Sequence, residues 1–251
     1  MKLETVLSPA EFACLPDRDL GAAVCLVFDI LRATTTMTTA FDRGAESIRP
    51  VREISEALAW RERDPSVLLA GERNGKRILA AETGSVDFDL GNSPREFTPQ
   101  RVGGRRIVMT TTNGTRALAA CDGAWAVFPA SFLNLEAVAG RAADLRPKRV
   151  QLVCAGTGEE PAFEDILAAG AACDWFLQYV PGVELSDSST VAWQIWTIHM
   201  DNLPGAMRFS KNGRRLLAEP DLAGDVPLCL LQNTSRVVAG MESGLIRPVT
   251  A

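Results

Sequence analysis

Short runs of continuously apolar residues alternate along this chain with segments of helical periodicity, and this alternation restricts its fold more than any other feature. The runs are AVCLVFDIL, SIRPV, SVLLAGE, RIVMTTT, AWAVFPA and RVQLVCAGT, and segments such as EISEALAWRER, NGTRALAACD and NLEAVAGRAADL separate them. Strands that are apolar on both faces are typical of parallel sheets covered by helices. The sequence therefore predicts an α/β protein, a three-layer α/β/α arrangement with a mostly parallel or mixed sheet.

The part of the chain after Cys154 has no comparable apolar runs. Its segments have helical spacing or are irregular, so we expect the C-terminal third to pack around the sheet rather than extend it. With 251 residues, of which 47% are hydrophobic, the chain can bury one full core. We predict a single compact unit over residues 1–251, with two similar lobes of about 1–100 and 101–251 as the alternative.

An internal repeat is the basis of the two-lobe alternative. Aligning residues 32–51 with residues 111–130 matches Thr36 with Thr115, and each copy has the order strand, threonine-rich turn, helix, strand. Unrelated βαβ units share that order, so duplication and chance similarity both stay open. In either case the two turns are equivalent places, each at the carboxyl end of a strand and the start of a helix.

The charge of the chain argues against a nucleic-acid partner. The formal net charge is -5, whereas nucleic-acid surfaces are usually marked by clustered basic residues. The N-terminus lacks a basic region followed by an apolar core, and no apolar run approaches the roughly 20 residues that span a bilayer. We expect a cytoplasmic protein with a small-molecule partner and no membrane partner.

The six cysteines and the single histidine give no sign of a metal centre. The cysteines stand singly, without the CxxC pairing of a zinc site, and most are expected to be small core residues. His199 lies in the helical-looking segment VAWQIWTIHM, where we expect a structural role rather than a catalytic one.

Both threonine-rich turns carry more polar side chains than a helix cap needs. The first, VFDILRATTT, begins at Val27, and the second is TTTNGT, which ends at Thr115. In open α/β sheets ligands bind beyond the carboxyl ends of the strands, where helix N-termini attract anions. N-capping accounts for about one such residue per helix. We therefore favour an anion site over caps alone.

A third turn, CAGTGEEPAFED at residues 154–165, combines glycines with carboxylates. Its acids are Glu159, Glu160, Glu164 and Asp165. Acids in a first helical turn are ordinary partners of the helix dipole, but four of them exceed that need. Together with Asp29 they can bind Mg2+, which commonly uses one or two carboxylates and substrate phosphate oxygens. A phosphate cradle with magnesium is typical of phosphoryl transfer.

Two further loops place charged and amide groups just after predicted strands. LAGERNGKRI contains Glu72 and Arg73, and VDFDLGNSPREF contains Asn92 and Ser93. Turn formation alone explains the Gly-Asn-Ser-Pro sequence. The combination of charged and amide groups near strand ends is what favours a binding site.

Familiar phosphatase mechanisms do not fit the sequence. Glu160 stands where a cysteine-dependent phosphatase would have an arginine after Cys154, and Leu31 stands where a haloacid-dehalogenase-type enzyme would have its second aspartate. One histidine cannot supply the two of a histidine phosphatase. The chain also has no Gly-Lys-Ser/Thr phosphate loop.

Five motifs in order resemble the signature of the 2-phosphosulfolactate phosphatase family: DILRATTT, GERNG, DLGNSP, TTTNGTRAL and CAGTGEEPAFEDILAAG. The resemblance covers about residues 24–170, and DVPLCLLQNTSRVV is similar to the family's C-terminal segment. The segment KRILAAETGSVDFDLGNSP and the adjacent Glu159 and Glu160 depart from the family pattern. The resemblance implies a Mg2+-dependent acid phosphatase that converts 2-phospho-3-sulfolactate to 3-sulfolactate in coenzyme M biosynthesis, on an α/β fold distinct from the common phosphatase folds.

This hypothesis assigns a role to each candidate residue. Asp29 is a metal ligand or, as the less favoured alternative, a nucleophile, and Arg32 clamps a phosphate or sulfonate. Glu160 and Asp165 complete the Mg2+ shell or orient the attacking water. The expected catalytic residues are Asp29, Arg32, Glu160 and Asp165, and the expected metal ligands are Asp29, Glu160 and Asp165. The expected substrate-binding residues are Thr34, Thr35, Thr36, Glu72, Arg73, Asn92, Ser93, Thr111, Thr112, Asn113, Gly114, Thr115, Arg116, Gly156 and Thr157.

Several alternatives stay open on sequence alone. The substrate can be a different phosphorylated hydroxy acid, or the phosphoryl group can pass to an acceptor other than water. A non-catalytic protein that binds a phosphorylated metabolite would need the same anion sites. Apolar helices in the C-terminal third make a homodimer plausible.

Overall fold

A computed structural model describes residues 1–15 and 19–249 of the chain. Its strands are β1 (Lys2–Val6), β2 (Ala23–Phe28), β3 (Ser47–Pro50), β4 (Leu68–Arg73), β5 (Lys76–Arg77), β6 (Arg106–Thr110), β7 (Ala126–Ala130), β8 (Arg149–Cys154), β9 (Glu184–Leu185), β10 (Ala239–Glu242) and β11 (Leu245–Pro248). Each of the six apolar runs forms a strand, as the sequence predicts.

Helices occupy most of the segments between the strands. They are α1 (Ala33–Asp42), α2 (Ile54–Arg63), α3 (Ala80–Thr83), α4 (Pro99–Val102), α5 (Gly114–Ala120), α6 (Leu135–Asp144), α7 (Phe163–Tyr179), α8 (Asp187–His199), α9 (Leu203–Ala206), α10 (Lys211–Ala218), α11 (Pro220–Ala223) and α12 (Asp225–Cys229). Short 3-10 helices cover Pro9–Cys14, Leu20–Ala22, Pro94–Glu96 and Phe132–Asn134. No described helix is long and apolar enough to cross a membrane.

The strands form two sheets rather than one. The first is parallel throughout, with the order β7-β2-β8-β1-β9. The second has the order β10-β11-β3-β6-β4-β5, in which β3, β6 and β4 are parallel and the remaining pairs are antiparallel. The predicted mixed α/β class is confirmed, and residues 1–100 and 101–251 each supply strands to both sheets.

Two connections cross between the sheets in opposite directions. The chain leaves the first sheet at β2, forms α1 and enters the second at β3, and it returns from β6 through α5 to β7. Apolar residues of α1 and α5, such as Met37 and Leu118, share one core with Val27 of β2 and Met109 of β6. The two helices therefore lie between the sheets, and every residue from Ala33 to Phe41 is buried.

The outer faces of the two sheets have separate cores. Helices α6, α7 and α8 cover the first sheet, and Gly170 allows α7 and α8 to approach because an added Cβ would overlap the Ala192 carbonyl. Helix α2 covers the second sheet, where Ala57 packs with Leu69 and Val108. His199 packs edge-on against Phe163 and also lies against Phe209, so its contacts are with aromatic rings.

The C-terminal third partly contradicts the sequence-based expectation. It does supply α7 and α8, two of the helices that cover the first sheet, but β9 extends that sheet and β10 and β11 extend the second. These strands are two to four residues long. Such short edge strands carry no clear apolar period, so periodicity did not reveal them.

Candidate active site

A polar cavity of about 140 Å³ lies where the carboxyl ends of strands from both sheets converge. Asp29 follows β2, Glu72 is near the end of β4, Thr112 follows β6 and Thr157 follows β8. The lining residues are Asp29, Leu31, Arg32, Glu72, Asn74, Gly75, Asn92, Thr112, Asn113, Thr157, Gly158, Asn212 and Arg215. The cavity therefore occupies the edge at which α/β proteins bind ligands.

Asp29 is held at the N-terminus of α1 with one carboxylate oxygen left free. Its Oδ1 accepts the Ala33 N–H at 3.0 Å, and among the described residues its Oδ2 accepts no hydrogen bond. The side chain is buried, and a Cβ added at Gly114 would lie 2.7 Å from Oδ2. Only glycine fits at this position, so the Asn-Gly sequence brings the start of α5 against the aspartate.

Several buried carboxylates crowd this region. Burial raises the pKa of Asp29 to about 7, the Ala33 N–H opposes that rise, and the charges of Glu72 and Glu164 add to it. Burial also holds the pKa of Asp165 well above its usual range, with further contributions from Glu164 and Asp29. Such a crowd of carboxylates favours the uptake of a positive charge.

The three predicted metal ligands do not come together. Asp165 is buried but binds main chain, since Oδ1 accepts the Ile30 N–H at 2.8 Å and Oδ2 accepts the Gly156 N–H at 3.0 Å. The Glu160 side chain is 69% exposed and pairs with Lys211. Of the three, only Asp29 lines the cavity. Within residues 1–15 and 19–249, no group of three or more His, Cys, Asp or Glu residues is arranged to hold a metal ion.

A different set of oxygen atoms does line the cavity. Glu72 is buried, its Oε2 accepts the Gly75 N–H at 2.6 Å, and its Oε1 accepts the Thr112 N–H and hydroxyl, each at 2.9 Å. Asn92 is also buried, and its Oδ1 has no hydrogen-bond partner. Among the described residues, the oxygens of this set without a hydrogen-bond partner are Asp29 Oδ2 and Asn92 Oδ1. A carboxylate and an amide oxygen suit Mg2+ when a substrate supplies phosphate oxygens as further ligands.

Arg32 is fixed by a buried ion pair that the sequence did not reveal. Its Nη1 donates to Asp225 Oδ2 at 2.6 Å and its Nη2 donates to the Gly75 carbonyl at 2.6 Å. Asp225 is fully buried and also accepts hydrogen bonds from Ser93 Oγ and Arg95 Nε. Asp225 thus positions the guanidinium at the cavity wall, and Ser93 supports that pair instead of lining the cavity.

Helix α10 forms one side of the cavity, where the buried carboxylate of Glu164 holds it in place. Glu164 Oε2 accepts the Ser210 hydroxyl at 2.6 Å, and its Oε1 accepts the Asn212 amide at 2.7 Å. The same amide nitrogen donates to Thr157 Oγ1 at 2.8 Å. These contacts bring Asn212 and Arg215, neither of which was predicted, to the cavity.

The hydroxyls of the first turn have partners inside the protein. Thr34 donates to the Asp29 carbonyl, Thr35 to the Ile30 carbonyl and Thr36 to the Asn92 carbonyl, each at 3.0 Å. None of these threonines lines the cavity. They satisfy main-chain carbonyls in a region without access to water, so they shape the turn instead of donating to a ligand.

In the second turn the structure separates lining residues from supporting ones. Thr112 and Asn113 line the cavity, whereas Thr111 and Thr115 hydrogen-bond to each other. The Gly156 N–H of the third turn is also taken, by Asp165.

Two of the three arginines proposed for anion binding lie outside the cavity. Arg73 donates to the Glu72 carbonyl and to Thr110 Oγ1. Arg116 is exposed and pairs with Glu159 at 2.6 Å. Of the three, only Arg32 lines the cavity.

Sequence reasoning missed the site residues of the C-terminal third, and also Leu31, Asn74, Gly75 and Gly158 of the cavity lining. Arg215 and Asn212 belong to KNGRRLLA, whose polar residues are typical of any surface helix. Asp225 begins α12 in a segment noted only for its similarity to a family motif. No local pattern distinguishes these residues, because their position depends on how distant segments pack.

The sequence matches known proteins over most of its length. The sequence profile of the family described as 2-phosphosulpholactate phosphatase matches residues 13–244. A probable 2-phosphosulfolactate phosphatase of Caldanaerobacter subterraneus is 38% identical over 234 residues, covering 92% of each chain. A protein of the same name from Deinococcus radiodurans is 39% identical, and the match covers 88% of each chain. Another from Clostridium acetobutylicum is 31% identical, and the match covers 98% of this chain and 100% of the relative. The chain therefore belongs to the 2-phosphosulpholactate phosphatase family.

Proposed function

We propose that this chain is a Mg2+-dependent phosphoric monoester hydrolase that converts 2-phospho-3-sulfolactate to 3-sulfolactate and phosphate. The observation that carries the proposal is the cavity, which is lined by Asp29, with its free Oδ2, and by Arg32. A carboxylate beside a fixed cation suits attack on a phosphoryl group, because phosphoryl transfer depends chiefly on positioning and charge stabilisation.

Arg32 is the residue we assign to the phosphoryl oxygens. Its guanidinium is always charged and presents several donors in a plane, which matches an oxyanion. The first amides of α1 are not free for this purpose, since Ala33 and Thr34 donate to Asp29. The anion at the start of α1 is thus the protein's own carboxylate, and the substrate phosphate lies next to it.

Asp29, Glu72 and Asn92 are the residues we assign to Mg2+, in place of the set predicted from sequence. A bound Mg2+ would supply neutralisation of the negative charge on the phosphoryl oxygens. The unpartnered Oδ1 of Asn92 supports this assignment, because a buried polar atom without a partner is costly.

As the alternative to holding Mg2+, Oδ2 of Asp29 takes part in the attack itself. In direct hydrolysis it accepts a proton from water, the water oxygen bonds to phosphorus, and the ester bond to the hydroxy acid breaks. The proton then passes to the departing oxygen, which leaves as a hydroxyl group. In the alternative mechanism the same oxygen bonds to phosphorus while the ester bond breaks, and the departing oxygen takes a proton from solvent. Water then attacks the phosphorus of the aspartyl phosphate, which releases phosphate and the Asp29 carboxylate. The stereochemistry of transfer from a substrate with a chiral phosphoryl group separates the two, because one displacement inverts the configuration at phosphorus and two displacements retain it.

Phosphate release tests the proposal. A panel of phosphorylated hydroxy acids that includes 2-phosphosulfolactate is incubated with the enzyme and Mg2+, and then with EDTA. We expect turnover with Mg2+ and its loss with EDTA, with Arg116→Ala as a variant that retains activity. Ligand-dependent thermal shifts without phosphate release would instead support a non-catalytic binding protein. Turnover of a different compound, with none of 2-phosphosulfolactate, would identify that compound as the substrate.

The proposal also covers the setting of the enzyme. We propose a cytoplasmic enzyme of coenzyme M biosynthesis that has no nucleic-acid or membrane partner and forms a homodimer. The net charge of -5 supports the absence of a nucleic-acid partner. Exposed apolar side chains on α7 and α8, including Tyr179 and Ile198, support the dimer. Sedimentation velocity tests the homodimer, and cell fractionation tests the cytoplasmic location.

A further inference from the structure

Arg215 lines the cavity and, among the residues that the structure describes, forms no ion pair and no side-chain hydrogen bond. Arg32, the other guanidinium of the cavity, has its charge offset by Asp225. The cavity therefore contains one paired and one unpaired guanidinium. An exposed arginine without a partner is ordinary on a surface, but one that borders a polar cavity is available to bind an anion.

Helix α10 carries three cations, and the structure distinguishes them. Lys211 pairs with Glu160 at 3.2 Å, and Arg214 Nη1 donates to the Arg208 carbonyl at 2.7 Å. Only Arg215 lies at the cavity, on the same helix face as Asn212, which is three residues earlier. Arg214 is thus a matched control, since it is adjacent, has the same charge and lies outside the cavity.

The main chain at Arg215 is held firmly. Ser210 caps α10 by accepting the Gly213 N–H at 2.7 Å, and the buried Glu164 binds both Ser210 and Asn212. The Arg215 guanidinium lies beside Gly75, where an added Cβ would be 3.6 Å from Nη1. Arg32 donates to the carbonyl of the same glycine. Two guanidinium groups from opposite ends of the chain therefore flank one loop.

The proposed substrate has three anionic groups, a phosphoryl group, a carboxylate and a sulfonate, so it needs positive charge beyond that of Arg32. A phosphoryl group beside Asp29 uses Arg32, and the sulfonate at the other end of the molecule keeps its negative charge throughout the physiological pH range. Its oxygens match the planar donors of an arginine. Of the residues proposed for binding, Arg73 and Arg116 are engaged elsewhere.

We propose that Arg215 binds the sulfonate and thereby selects sulfonated over non-sulfonated phosphohydroxy acids. This inference deepens the proposed function and rests on it. Arg215 makes no contribution to the bond-breaking step beyond holding the substrate in register.

The test compares two substrates that differ only in the sulfonate, 2-phosphosulfolactate and 2-phospholactate. For Arg215→Ala we expect kcat/KM on 2-phosphosulfolactate to fall roughly 10- to 100-fold, the range for losing a hydrogen bond between charged groups. On 2-phospholactate we expect the wild-type value. Arg214→Ala should match the wild type on both substrates, and Arg215→Lys should recover part of the loss, mainly through KM.

The outcomes separate this inference from the proposed function. An equal loss on both substrates, or no loss on either, overturns the role of Arg215 while the phosphatase function stands. A wild-type enzyme inactive on both substrates overturns the proposed function. Calorimetry with 3-sulfolactate and lactate then decides on Arg215 alone: selective loss of 3-sulfolactate binding in Arg215→Ala supports its role, and any other pattern overturns it.

Discussion

The threonine-rich turn after β2 and helix α10 both border the cavity, but they use their polar side chains in opposite ways. In the turn, Thr34, Thr35 and Thr36 donate to main-chain carbonyls, and no hydroxyl of the three reaches the cavity. In α10, Asn212 and Arg215 present their side chains to the cavity. A dense polar cluster in a sequence can thus be structural, while sparse residues on an ordinary helix supply the binding groups.

The largest expected effect comes from Asp29, which lines the cavity and keeps one carboxylate oxygen without a hydrogen-bond partner among the described residues. Asp29→Asn keeps an oxygen for the Ala33 N–H but removes the carboxylate charge. We expect kcat to fall roughly 10³-fold, within the range of general acid-base contributions, with little change in the unfolding temperature. Phosphate release and thermal unfolding measure the two quantities. Full activity in this variant would show that the carboxylate of Asp29 takes no part in hydrolysis.

Asp225 connects the C-terminal third to the turn, so its replacement tests whether the two regions depend on each other. Asp225→Asn leaves Arg32 buried without its anion, and we expect unfolding free energy to fall by about 3 kcal/mol. We also expect a higher KM because the guanidinium loses its fixed position. Denaturant unfolding and steady-state kinetics measure these effects.

The control for this variant is Asp221→Asn in the neighbouring α11, where the side chain is exposed. Its stability and KM should match those of the wild type. An Asp225→Asn enzyme with unchanged KM would show that Arg32 keeps its position without the ion pair.

A smaller effect is expected from the threonines, and it should appear in stability rather than in binding. Thr35→Val removes the hydroxyl that donates to the Ile30 carbonyl in a fully buried position. The unsatisfied carbonyl should cost about 1–3 kcal/mol of unfolding free energy. KM should stay within twofold of the wild type, as it should for Thr39→Val, which removes a similar bond farther along α1. A large rise in KM at unchanged stability would show that the threonine hydroxyls donate hydrogen bonds to the substrate.

The smallest effect is expected at Glu160, which the sequence placed in the metal shell and the structure places at the surface. Glu160→Gln removes an exposed pair with Lys211, and such pairs contribute about 0–1 kcal/mol. Activity and the Mg2+ concentration that gives half-maximal rate should equal those of the wild type. A several-fold rise in that concentration would show that Glu160 approaches the metal during turnover.

The sequence predicted the strands and turns that depend on local patterns. The six apolar runs, the β2 turn with Asp29 and the Asn-Gly start of α5 all follow from periodicity or from glycine geometry. It did not predict two sheets, because consecutive strands such as β2 and β3 enter different sheets and nothing local records that choice. The Arg32–Asp225 pair joins residues 193 positions apart in the sequence. Whether residues so far apart in the sequence meet depends on the packing of the whole chain.

The paired crossings through α1 and α5 make the two sheets dependent on one another. Residues 1–100 alone would contain two of the five strands of the first sheet and three of the six of the second, and the remaining strands lie in the other fragment. A chain cut near residue 100 should therefore behave as a split protein, whose separately expressed pieces are inactive and regain hydrolysis only when they meet. That property would make phosphate release a direct reporter of fragment association.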